Sequence, residues 1–76
     1  MTPRERINYA LDQWPGALHT VAELLGVSLP RLRAWVSPHA TSRYAEPTED
    51  NAAAVEHAVI GELRRRVARL EEKTHL

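Results

Sequence analysis

The stretch from Leu18 to Ser37, LHTVAELLGVSLPRLRAWVS, constrains the fold more than any other part of the chain. Apolar residues at Val21, Leu24 and Leu25 recur at helical spacing, Gly26 interrupts them, and Val27, Leu32, Trp35 and Val36 resume the pattern after Ser28. The spacing predicts two short helices joined by a tight turn. Thr20 and Glu23 have the form of a capping box and predict the start of the first helix, since the hydroxyl accepts a backbone N–H and the carboxylate reaches back. Ser28 is the expected cap of the second, with Pro30 in the first turn, where a missing N–H costs nothing. Gly26 falls where the chain must turn with positive φ, a conformation glycine adopts without steric penalty.

The flanking segments extend this pattern into an all-α fold. Thr2 and Glu5 form another capping box, Pro3 takes the first helical position, and Ile7, Ala10, Leu11 and Trp14 share one face. A helix over residues 2–14 is therefore expected, stopped by Pro15 and Gly16. The predicted three-helix core comprises Ile7, Leu11, Trp14, Leu18, Val21, Leu25, Leu32 and Trp35. Tyr9 suits either the rim of that core or a phosphate contact. Pro38, Pro47 and the small polar residues between them mark 38–47 as a linker, which makes 1–37 the first domain. Thr48 restarts a helix over 48–76, with Glu49 and Asp50 at the positive end of its dipole.

Along that last helix Ile60, Leu63, Val67 and Leu70 alternate in spacing by three and four. Ile60 and Val67 fall at a positions and Leu63 and Leu70 at d positions of a short coiled coil, a choice that favours parallel two-stranded pairing. Arg66 then occupies g and Glu71 the following e, an attractive pair across the seam. These six residues are the expected dimerisation set. The competing arrangement folds the helix back on the first domain and buries Val55, Val59, Ile60 and Leu63. A 76-residue chain buries only about 60% of its unfolded surface, and with no cysteine to staple it, self-association is the obvious remedy.

Net charge is zero, but its distribution is uneven. No acidic residue occurs from Leu24 to Ala45, where Arg31, Arg33 and Arg43 lie with His39. Glu46, Glu49, Asp50, Glu56 and Glu62 follow, and then Arg64, Arg65, Arg66 and Arg69. The middle of the chain is locally positive, although the neutral total weakens non-specific attraction to polyanions. The four histidines lack metal-ligand spacing, and neither a Gly-rich phosphate loop nor a nucleophile with its base is present. No metal, no cofactor and no enzymatic activity are expected. Without a signal-like or membrane-spanning apolar run, the expected location is cytoplasmic.

Small Ala22 where the helices would cross, Gly26 in the turn, Val27 after it, and Leu32 and Trp35 facing inward make the central stretch similar to a known motif. It resembles the helix-turn-helix of bacterial and phage DNA-binding proteins. The resemblance implies that the second helix enters the major groove of double-stranded DNA, presenting Leu29, Arg31, Arg33, Ala34 and Ser37. Arg33 would fork onto a guanine edge, Leu29 or Ala34 would meet a thymine methyl, and Thr20 and Ser28 would bond phosphate. Arg43 would touch the DNA backbone from the following loop. The Arg43–Tyr44 pair is also similar to the wing of the mercury-resistance-regulator and excisionase families, although the strands and glycine turn of a wing are not visible. A reading head followed by an arginine-rich leucine-patterned helix is similar to small transposase-accessory proteins and small phage and plasmid regulators. Those families imply a homodimer. The alternative is a helical hairpin that touches no nucleic acid and serves as an interaction module, such as a phage-type inhibitor or adaptor, for a larger protein.

Overall fold

Thr2, Ser28 and Thr48 each start a helix in the structure, a computed structural model that describes residues 1–37 and 46–74. Among the described residues there are four helices and no strand: α1 (Pro3–Leu11), α2 (Ala17–Leu25), α3 (Leu29–Val36) and α4 (Glu49–Thr74). At the first start the box is reciprocal. The Glu5 N–H donates to Thr2 Oγ1 and the Thr2 N–H donates to Glu5 Oε1. These bonds hold the Glu5 carboxyl below its usual range, with the backbone donor as the leading cause. Thr48 does the same with Asn51, a partnership that adds to the dipole argument for this end.

Two helix limits differ from those expected. α1 stops at Leu11 instead of continuing to Trp14, its end tightened by a bond from the Asp12 N–H to the Tyr9 carbonyl at 3.3 Å. Pro15 explains this, because it supplies no N–H to the preceding turn and disfavours helical backbone at Trp14. The second correction concerns Thr20, which is not a cap. Gly16 adopts φ +84° and opens α2 a full turn earlier, its carbonyl accepting from the N–H groups of His19 and Thr20. Thr20 Oγ1 donates back to that same carbonyl at 3.4 Å. A local capping pattern lost to a glycine able to take a left-handed conformation.

The core is shared by all four helices. Ile7, Val21, Leu32 and Trp35 are buried as their spacing predicts, while Leu11, Trp14, Leu18 and Leu25 only pack against the cluster from its edge. Ala10 and Ala22 bring helices close together, and Ala52, Val55 and Val59 of α4 close the remaining side. Three helices of eight or nine residues cannot enclose Ile7 and Leu32 by themselves. Burial of Val55 and Val59 contributes roughly 1.5–3 kcal/mol each.

α4 is about 39 Å long at the usual rise per residue, and the molecule measures 53 × 23 × 18 Å. Its first half lies on α1 and α2. From Arg64 to Thr74 every residue is exposed, so the second half projects. No helix among the described residues is long and apolar enough to cross a membrane.

Candidate nucleic-acid interface

The geometry of α3 begins at the turn before it. The Gly26 N–H donates to the Glu23 carbonyl at 3.2 Å and the Val27 N–H to the Ala22 carbonyl at 3.1 Å, with Gly26 at φ +68°. This is a Schellman closure, and it allows only Gly26, Val27 and Ser28 between α2 and α3. Ser28 Oγ then accepts the Arg31 N–H at 3.3 Å.

The opposite end of α3 is held by α1. Arg4 Nε donates to the Trp35 carbonyl at 3.2 Å, and Asn8 Nδ2 donates to the Val36 carbonyl at 3.3 Å. Carbonyls at a helix C-terminus have no partner within the helix, and a cation there also complements the dipole. α3 is thereby fixed at both ends and by buried Leu32 and Trp35 on its inner face.

Arg31 and Arg33 are both exposed, two residues apart and therefore on opposite flanks of the helix. The Arg31 guanidinium carbon lies 5.7 Å from the centre of the Trp35 ring, a cation–π distance. Arg33 has no side-chain ion pair or hydrogen bond among the described residues. Leu29 and Ala34 are half-buried, and the Ser37 N–H closes the helix on the Arg33 carbonyl at 3.0 Å. Ser28 is exposed beside them, whereas Thr20 is half-buried one turn inside α2. Arg43, with His39 and Tyr44, lies outside the described residues.

Several acidic residues are engaged elsewhere. Arg6 forks onto Glu56, with Nε 3.2 Å from Oε2 and a second bond to Oε1, and it also reaches Glu49. The bonds from Arg6 hold the Glu56 carboxyl below its ordinary range, and the Arg6 guanidinium is pushed up in turn. Arg4 pairs with Glu46 at 3.3 Å. Glu62, whose side chain is only 12% exposed, accepts from Arg65 at 3.0 Å and Arg66 at 3.2 Å, and these two bonds lower its carboxyl likewise. Glu23 is the sole acidic residue from Ala17 to Val36.

The expected dimerisation residues divide between two situations. Ile60, Val67, Leu70 and Glu71 are exposed along α4, but Leu63 is half-buried against the core. Arg66 is held within its own chain: its Nε donates to Glu62 and its guanidinium carbon sits 4.5 Å from the centre of the Trp14 ring. Sequence spacing gives no role to Arg4, Arg6 or Asn8, and places Trp14 in the core rather than beneath Arg66. Arg4 and Asn8 stand one turn apart on the polar side of α1, a faint signal of shared work. Among the described residues no group of three or more His, Asp or Glu side chains gathers to hold a metal.

No protein-family model matches this chain, and no curated protein or solved structure matches it either.

Proposed function

We propose that this protein binds double-stranded DNA sequence-specifically as a homodimer, serving as a small transcription regulator or nucleoprotein-assembly factor without enzymatic activity. The observation that carries this reading is the segregation of charge. Arg4, Arg6, Arg65 and Arg66 are paired with carboxylates, whereas Arg31 and Arg33 are exposed on α3 with no ion pair among the described residues, as are Arg64 and Arg69 on the far half of α4. A net charge of zero is therefore compatible with a positive reading face, because Glu49, Glu56 and Glu62 of α4 are matched against α1 and against their own helix. In this reading α3 is the recognition helix of a helix-turn-helix, Arg33 contacts a guanine edge, and Ser28 and Arg31 contact phosphate. Leu29 and Ala34 border the base-contacting patch, while Thr20 and Ser37 are its peripheral members.

Two heads held by a two-fold axis would read inverted half-sites about one helical turn apart or a multiple of it. Selection of bound sequences from a random duplex pool, at two salt concentrations, tests this directly. An inverted repeat whose recovery declines with salt is the expected result. No enrichment even at low salt would reject DNA binding.

A second reading is a protein-interaction module for a larger partner. The exposed Leu24 on α2, away from the arginine face, favours it together with the neutral total charge. Failure of the duplex selection would move the assignment there.

A further inference from the structure

We infer that the dimer face extends beyond α4 onto α1, with Tyr9 joining Ile60, Val67 and Leu70 in one surface that pairs with the same surface of a second, parallel copy. The inference rests on the dimeric part of the reading above and specifies its partner. Tyr9 is 70% exposed, Ile60 46%, Val67 54% and Leu70 62%. They are not scattered. A groove between α1 and α4 is lined by Tyr9, Gln13, Ile60 and Leu63, and Ile60 and Leu63 also line the next apolar groove with Val67. The surface therefore runs unbroken from the head to the projecting half of α4.

From Arg64 to Thr74 every residue of that projecting half is exposed, its contact with the head being Arg66 over Trp14, and helical segments of such length are marginal alone in water. The four exposed side chains offer on the order of 400 Å² per copy, so a symmetric pair approaches the lower bound of about 1,000 Å² for specific interfaces. A dimer of modest, concentration-dependent affinity follows. The same patch on both copies closes the assembly at two.

Charge and side-chain shape select the orientation. β-Branched Ile60 and Val67 alternating with Leu63 and Leu70 suit a parallel pair. An antiparallel copy overlapping all four positions would bring Arg64 within a turn of Arg64 on the other copy. In the parallel pair, Glu71, which has no ion pair among the described residues, lies across the seam from Arg66 of the second copy. The Arg66 bond to Glu62 uses only Nε. Opposite charges bordering one apolar stripe fit a copy of this chain better than a partner of a single sign.

Sedimentation equilibrium over a wide concentration range, without DNA, tests the inference on the full chain. Tyr9→Arg and Leu70→Glu should each weaken dimerisation by at least about tenfold, while Leu24→Arg, on the opposite side of α4, should leave it unchanged. Circular dichroism melting establishes that each variant remains folded. The chain has no cysteine, so Ile60→Cys and Leu70→Cys should each form a disulfide with itself under mild oxidation. Dimerisation sensitive to Leu70→Glu but not to Tyr9→Arg would overturn the role of α1 and leave the dimeric reading standing. A parent chain that is monomeric throughout would overturn both. Disulfides formed only between Ile60→Cys and Leu70→Cys chains would overturn the parallel orientation.

Discussion

Arg33 and Arg66 show how one side-chain type takes different work from its surroundings. Arg66 is bonded to Glu62 and stacked over Trp14, so its charge is compensated within the chain. Arg33 extends from α3 with no such partner among the described residues, and its planar fork is free for two parallel acceptors. Arg33→Ala should lower affinity for the selected duplex by about 1–3 kcal/mol and relax the preference at one base pair. Arg31→Ala should weaken all duplexes about equally, because its place over Trp35 suits a phosphate contact. Titration of each variant against the selected duplex and a scrambled one separates the two effects. Parent-like binding by both variants would mean that α3 does not make the contact. These arginines were legible from the acid-free run around them; the pairing of Arg4 and Arg6 was not, because their partners lie far away in the chain.

Helix starts that depend on neighbours three residues away follow the sequence closely, as Thr2 with Glu5 and Ser28 with the Arg31 N–H illustrate. Thr20 is the exception: its pattern was sound, but the Gly16 backbone decided the start of α2. Gly26 tests the turn between α2 and α3. No atom outside its immediate surroundings lies within 4 Å of a Cβ placed there, so the cost of substitution is conformational. Gly26→Val should destabilise the fold by about 1–2 kcal/mol, read as a shift in the urea midpoint. An unchanged midpoint would show that the left-handed backbone is not required. α4 makes a different prediction in each half. A chain ending at Arg66 should retain cooperative thermal unfolding, whereas one ending at Pro47 should lose it, since Ala52, Val55 and Val59 are removed from the core. Cooperative melting of the shorter chain would contradict the shared core.

For the whole molecule, ion pairs tie α1 to α4 and brace α4 where it leaves the core. The carboxyls of Glu56 and Glu62 are held down by Arg6 and by Arg65 with Arg66, respectively. A depressed carboxylate pKa means that the unfolded chain binds more protons in acid, so this contribution is present above the ordinary carboxylate range and lost as pH falls through the folded-state values. The urea midpoint should therefore decrease between neutral pH and about pH 3. Arg6→Gln should reduce that dependence, and an unchanged pH profile would show that the Arg6–Glu56 fork contributes nothing. By itself the sequence determined the helical class, the caps at Thr2, Ser28 and Thr48, the left-handed turn at Gly26 and the inward side of α3, because each depends on backbone and side-chain chemistry within a few residues. Only the tertiary structure decided that α4 completes the core, that Arg4 and Asn8 hold the end of α3, and that Arg4 and Arg6 are paired with distant carboxylates. Those outcomes depend on the relative placement of helices, which local spacing does not specify.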